Sequence, residues 1–352
     1  MNEEAVEARD VVKPRIQQAA QALNTADPVH YVGPLIDRWL PGPMEHYAAN
    51  TLTPGAVPCE PSFSEMEPQV LRFTIEPLGP HASPVARRDE VTRANRGYVQ
   101  QFFGRDALRW FDRRSEEWRG MNAHSRLNYG AWFGTAYDHD GLSAAKVYYE
   151  LVPEQLDALP GLLRSLVHAA VEVMPTLVPI FTSIRCGRTD GSQRVTFLHR
   201  GPLRVNALGP LMGRMGLGHQ LPGFMQVVGL SLGGRFDLPE RSVLLGLRET
   251  GEGPEVKLEV LLGMLPDLPP NFLGLLMLGL AERPLKAQAL GQWLWAFTPE
   301  SQQWPGRFSV LSIRATPRTP ARVSLYLRPT EFEVHQRLSN VARMRAANGV
   351  AA

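Results

Sequence analysis

The sequence predicts an α+β fold in which repeated αββα units close an antiparallel β-barrel inside an outer ring of helices. Three observations predict it. Apolar period-two segments come in pairs joined by tight-turn residues, which demands antiparallel pairing, since parallel strands need a crossover between them. The pairs recur along the chain with helical segments between them. A sheet assembled from several such hairpins leaves no open edge once its first and last strands meet.

Residues Glu4 to Asn24 read as a helix, inside a helical N-terminal extension (residues 1–55) otherwise broken by Pro and Gly. Gln69–Pro77 reads as a strand, with Val70, Leu71, Phe73 and Ile75 set among Arg72, Thr74 and Glu76. A helix follows over Asp89–Arg119. Strands Ala131–Tyr137 and Ala144–Leu151 flank Asp138-His-Asp-Gly141, a hairpin turn. Pro153–Met174 is helical by its leucine spacing. Val178–Arg185 and Arg194–His199 then pair across Gly187-Arg-Thr-Asp-Gly191. A helix around Leu203–Met215 precedes strands Ser242–Arg248 and Pro254–Leu262, joined through Gly251-Glu-Gly253. Asn271–Ala281 is a greasy helix. Phe308–Ala315 and Ala321–Leu327 form the last hairpin across Pro317-Arg-Thr-Pro320, and Thr330–Ala347 closes the chain as a helix. No low-complexity linker divides this series, so residues 1–352 are expected to form one domain.

Composition narrows the function. The 352 residues carry 37 basic and 35 acidic side chains, a net charge of +2, which leaves no electrostatic footprint for nucleic acid and no polybasic arm for a membrane. Arginine outnumbers lysine 33 to four, and Lys13, Lys146, Lys257 and Lys286 are the four. Two cysteines, Cys59 and Cys186, are too few for a disulfide framework. The N-terminus lacks a signal-peptide pattern. The greasiest runs, Phe272–Ala281 and Phe224–Leu232, fall short of the about 20 residues that span a bilayer. A cytoplasmic setting is expected.

On a barrel strand alternate residues face the interior, so polar residues at period two on apolar strands are the candidates for chemistry. They are Arg72; Lys146 and Tyr148; Arg194 and Thr196; Lys257 and Glu259; and Arg322, Ser324 and Tyr326. Turned inward together they make a chamber of cations and rings. Arginine and lysine neutralise a diphosphate leaving group, and tyrosine faces stabilise an allylic cation while excluding water. The competing reading of each strand is a one-faced sheet whose polar side meets solvent.

From about Pro58 to Pro329 the chain resembles the dimethylallyltryptophan synthase type of aromatic prenyltransferase. Pro58-Cys-Glu-Pro-Ser-Phe63 and Val70–Pro77 resemble the family's opening segment, Lys146-Val-Tyr148 its Lys-x-Tyr pair and Leu232-Gly-Gly-Arg235 the stretch after its third strand pair. Pro254-Glu-Val-Lys257 and Ser324-Leu-Tyr326 resemble its last two site strands. The resemblance implies the family's PT barrel of αββα (ABBA) units and a metal-independent Friedel–Crafts transfer, with no cofactor. A dimethylallyl or longer prenyl group passes from its diphosphate to an indole or tryptophan-derived acceptor, in secondary metabolism such as alkaloid biosynthesis. It also implies roles. Glu60 accepts the indole N–H and, with Lys146, is catalytic. Arg72, Lys146, Arg194, Lys257 and Arg322 bind the diphosphate, and Tyr148 and Tyr326 shield the cation. Three departures stand out: Arg194-Val-Thr-Phe-Leu198 replaces the family's Arg-x-Lys-x-Tyr, Glu259 stands where a tyrosine is common, and no lysine lies between Lys13 and Lys146 to match the one that some members use to remove the final ring proton.

Two rivals come from other classes. Gly229-Leu-Ser-Leu-Gly233 fits a nucleophile elbow, with Asp267 and His335 following in the order of a serine hydrolase triad around Ser231. A barrel that binds a small aromatic ligand without chemistry is the other. Gly213–Gly218 lacks the Gly-Lys-Ser/Thr ending of a phosphate loop. No Asp-Asp-x-x-Asp run or paired-histidine spacing predicts a metal site.

Overall fold

A computed structural model of the chain describes residues 6–49, 58–79, 81–120 and 127–332. Ten strands close into an antiparallel barrel: β1 (Cys59–Ser64), β2 (Leu71–Ile75), β3 (Ala131–Asp138), β4 (Gly141–Glu150), β5 (Leu177–Gly187) and β6 (Gly191–His199) in the first part of the chain. After a two-stranded excursion, β7 (Leu203–Arg204) with β8 (Asp237–Leu238), come β9 (Val243–Thr250), β10 (Gly253–Leu261), β11 (Gly306–Ala315) and β12 (Arg322–Pro329). Barrel neighbours follow chain order throughout, and β12 pairs with β1 at Ser62↔Tyr326 and Ser64↔Ser324 to seal the seam. The expected fold class is therefore observed.

Alternation runs opposite to the usual one-faced sheet. Val147, Tyr149, Ile184, Val195, Phe197, Leu245, Leu258 and Leu325 are fully buried, yet they point away from the lumen. They pack beneath the helices, so the hydrophobic core is an annulus between barrel and helices and not the barrel axis. Each such side chain contributes roughly 1.5–3 kcal/mol of burial. The lumen-facing set is thereby released from packing the core and can be polar.

The helices of this ring are α1 (Ala8–Leu23), α2 (Val29–Trp39), α3 (Pro84–Tyr98), α4 (Gly104–Arg119), α5 (Gly161–Val173), α6 (Gly209–Arg214), α7 (Leu221–Ser231), α8 (Phe272–Gly279) and α9 (Pro284–Ala296). Trp39 of α2 meets Phe133 of β3 edge-on at 5.3 Å, tying the N-terminal helices to the barrel wall. No described helix is long and apolar enough to cross a membrane.

Several boundaries differ from expectation. The helix expected over Asp89–Arg119 starts at Pro84, where Ser83 caps it by accepting from the Ala86 amide. It is interrupted by a π-helical turn at Val99–Phe103, and Gly104, at φ 87°, takes up the kink. The one expected over Pro153–Met174 is a 3-10 turn followed by α5, because Pro160 holds Leu159 in extended conformation. Leu203–Met215 divides into β7, a 3-10 turn and α6. Strand β1, which carries Pro61, and helices α7 and α9 carried no sequence expectation, whereas α2 lies within the expected helical N-terminal extension. The expected closing helix lies, beyond the 3-10 turn at Thr330–Phe332, outside the described residues.

Candidate active site

Two connected cavities occupy the lumen. One, of about 390 Å³, is lined by seven basic side chains (Arg72, Lys146, Arg185, Arg194, Arg248, Lys257 and Arg314) and two carboxylates, Glu67 and Asp190. The other, of about 1120 Å³, is walled by Trp132, Phe181, Leu198, Leu244, Leu261 and Phe308, with Glu60 and Glu259 among its polar groups. Lys146, Tyr148, Arg194, Lys257 and Tyr326 line both and form the layer where the cavities meet.

Strand register explains the cation-rich end. Lys146 stands opposite Arg185 on β5, Arg194 opposite Arg248 on β9, and Lys257 opposite Arg314 on β11. Directly opposed residues share a face and lie close together, so each of these three foreseen cations brings a second one beside it, whereas Arg72 stands opposite Ser62 and Ala136. Gly246 makes this crowding possible. A Cβ there would come within 2.9 Å of Arg194 Cδ and 3.4 Å of Lys257 Cβ. Gly134, opposite Lys146, likewise leaves room for the Tyr148 ring, 3.2 Å from where its Cβ would be.

Buried carboxylates hold the cations in place. Glu255, its side chain 4% exposed, pairs with both Arg194 and Arg248. Burial alone would raise its carboxyl, but the two guanidiniums outweigh that and bring it down to about 2. Burial lowers Arg194 too, yet Glu255 and Glu259 more than compensate and its net shift is upward. Arg248 falls to about 10 through burial and the nearby charge of Arg194. Lys146 is held well below the usual lysine range by burial, then by Arg194 and Lys257. Its Nζ lies 2.9 Å from Tyr148 Oη and 4.0 Å from that ring's centre. Lys257 donates to Glu259 at 2.5 Å and to Tyr326 at 3.0 Å. Burial pushes both tyrosine hydroxyls upward, so the rings remain neutral phenols. Such a group of repelling, desolvated cations is completed electrostatically by a polyanion.

Of the residues singled out from the sequence, Arg72, Lys146, Arg194, Lys257, Tyr148 and Tyr326 converge on the cation-rich end or its border. Arg72 is oriented by Glu67, at 2.5 Å. Glu60 faces the apolar compartment and accepts from Ser309 at 2.7 Å. Thr196 and Glu259 line that compartment, and Ser324 the cation-rich one. Arg322 is placed differently. It is opposite Arg314 in register, but its guanidinium turns to the buried Glu65 at 3.5 Å and it lines neither cavity. Arg185, Arg248, Arg314, Glu255, Trp132 and Phe181 were not foreseen. The three arginines end strands beside turns, where a charge reads as solvated. Only counting by two from Ser183, Gly246 and Ser312 would have turned them inward.

Among the described residues no hydrolase arrangement is formed. Ser231 is the last residue of α7, buried, with no strand leading into it. Asp267 pairs with Arg235 at 2.6 Å, and His335 lies outside the described residues. Among those residues no three His, Cys, Asp or Glu side chains are grouped as for a metal ion.

No family model and no curated protein matches the sequence. Solved structures do. Prenyltransferase PriB is 18% identical with a TM-score of 0.71, over 94% of this chain and 98% of its own. The 5-dimethylallyltryptophan synthase of Streptomyces coelicolor is 18% identical with a TM-score of 0.68, over 94% and 100% of the two chains. The 6-dimethylallyltryptophan synthase of Micromonospora olivasterospora is 16% identical with a TM-score of 0.72, over 94% and 99%. The chain shares their fold over 94% of its length, the fold that the sequence resemblance implied.

Proposed function

We propose that this chain is an aromatic prenyltransferase that moves a dimethylallyl-type group from its diphosphate to an indole or tryptophan-derived acceptor. One observation carries the reading: a compact cation cluster opens directly onto a larger apolar chamber, and two tyrosines stand at the junction. A diphosphate needs the first and an aromatic ring the second. The reactive carbon then falls between Tyr148 and Tyr326. PriB, which shares the fold, has been solved with L-tryptophan and dimethylallyl thiolodiphosphate.

In this reading Arg72, Lys146, Arg194 and Lys257, joined by Arg185, Arg248 and Arg314, hold the phosphates and stabilise charge as the carbon–oxygen bond breaks. Glu255 fixes two of these guanidiniums beforehand, so the site reorganises little during reaction. Arg322 acts at most through Glu65. The phenol faces of Tyr148 and Tyr326 flank the allylic cation and keep water from it. Glu60, steadied by Ser309, accepts the indole N–H and aims a ring carbon at the cation. The aromatic π pair forms the new bond, diphosphate departs, and loss of a ring proton restores aromaticity. No metal or cofactor enters the scheme.

The test is to incubate the protein with dimethylallyl diphosphate and a panel of indoles in the presence of EDTA. Prenylated product by mass, with diphosphate released in equal amount, supports the reading. The binding-only barrel is favoured instead if calorimetry shows tight aromatic binding that ignores the allylic diphosphate and nothing is formed. The seven cations of the smaller cavity weigh against it, because an apolar ligand does not compensate their desolvation.

A further inference from the structure

The reaction proposed above ends when a proton leaves the alkylated ring carbon, and whatever takes it must face the acceptor chamber close to the cation. Four side chains with amine or carboxylate groups line that chamber: Glu60, Lys146, Lys257 and Glu259. Lys146 and Lys257 also line the cation-rich end, and a diphosphate beside them favours their protonated forms. Glu60, bonded to Ser309, is occupied with the acceptor N–H. Glu259 is the group left over. It is 7% exposed and projects from β10 into the larger compartment, beside Lys257 of the layer where the two compartments meet. Its Oε1 is 2.5 Å from Lys257 Nζ, and the same Nζ reaches Tyr326 Oη at 3.0 Å. The charges of Glu259 and Glu60 both act on the Tyr326 hydroxyl.

We propose that Glu259 is the general base that rearomatises the prenylated ring, an inference that rests on the prenyltransferase reading. The carbon–oxygen bond of the allylic diphosphate breaks and diphosphate leaves with its electron pair. A ring carbon uses its π pair to form the carbon–carbon bond. The electrons of its carbon–hydrogen bond then return to the ring as the proton passes to a Glu259 carboxylate oxygen. A protonated aromatic ring is a strong acid, so a carboxylate suffices. Burial pushes this carboxyl upward, but Lys257 first, then Arg194 and Lys146, outweigh it and keep the group ionised. The Lys257 hydrogen bond serves a second purpose. A bare carboxylate beside an allylic cation is open to alkylation, whereas one oxygen engaged by an ammonium is a weaker nucleophile.

The experiment compares wild type with Glu259→Gln, Glu259→Asp and Glu259→Tyr, on acceptor protonated or deuterated at the alkylated ring position. For Glu259→Gln, kcat should fall by about 10²–10⁴ with both KM values little changed. A primary ring-deuterium isotope effect should appear as proton loss becomes rate-limiting. Glu259→Asp should recover part of the rate. Wild-type turnover in Glu259→Gln without an isotope effect overturns the assignment. So does full activity in Glu259→Tyr, which would make the position a ring shield. If Glu259→Gln no longer binds dimethylallyl thiolodiphosphate by calorimetry, Glu259→Asp carries the test. It keeps the charge, and a slower kcat without a changed isotope effect refutes the role. Absence of transfer in wild type sinks the enzyme reading and this inference with it; active wild type with an unaffected Glu259→Gln sinks this inference alone.

Discussion

The two ends of the lumen are built on different principles. The cation-rich end is small, about 390 Å³, and its charges are pinned by backbone register and by ion pairs such as Glu255 with Arg194 and Arg248. The acceptor end is almost three times larger, about 1120 Å³, and its wall is mostly rings and aliphatic chains. Fixed charge suits a ligand part that never varies, which in the proposed reaction is the diphosphate. Apolar walls discriminate weakly, by roughly 1–3 kcal/mol per methylene-sized misfit, so in the proposed reaction that end would set the acceptor by volume and shape.

The comparison can be broken most decisively at the shared layer. Lys146→Ala should lower kcat by about 10²–10³, the cost of deleting one charge that stabilises a leaving group. Acceptor affinity measured by calorimetry should be unchanged. Equal loss of acceptor binding would mean that the two ends are not separate.

Glu255→Gln comes next and tests the pinning. Removing one partner of a buried ion network costs about 3–5 kcal/mol, read as a lower Tm. The wild-type protein adds a pH signature. Because the folded carboxyl lies near 2, below its ordinary 4.5, its stabilisation is present above pH 4.5 and is lost as pH falls toward 2. At about 1.4 kcal/mol per pH unit the total is about 3–4 kcal/mol. Denaturant unfolding across that range should show this slope in wild type and lose it in Glu255→Gln.

Phe181→Ala sharpens the acceptor end. Phe181 meets Trp132 and Tyr148 edge-on at 5.9 and 5.7 Å. Truncating it should raise KM for the acceptor about tenfold, the equivalent of about 1.4 kcal/mol, and leave KM for the diphosphate as it was. The smallest effect is expected for Arg322→Ala, under about threefold in kcat/KM, since its guanidinium serves Glu65 and not the cavity. A large loss of diphosphate binding there would show that Arg322 swings inward.

Much of this was legible in the chain. The turn Asp138-His-Asp-Gly141 and the alternation of Lys146 and Tyr148 with Val147 and Tyr149 announce a hairpin with two distinct faces, and the hairpins observed between β3 and β12 follow the expected ones closely. Strand β1 was hidden, because Pro61 and the serines around it break the apolar signal. The break at Gly104 was hidden too, since helical spacing continues on both sides of it. Local pattern told which residues share a face, but not which face meets water.

By itself, then, the sequence determined the strand pairs, their turns and the sets of side chains that travel together, because period-two alternation and turn chemistry are local properties. Only the tertiary structure decided that the polar set points inward. That choice depends on β12 meeting β1 and on helices covering the apolar face, both contacts between residues far apart in the chain. The same closure placed Arg185, Arg248 and Arg314 beside Lys146, Arg194 and Lys257, and turned Arg322 toward Glu65. Charge clustering is a property of register between strands, and no single strand carries it.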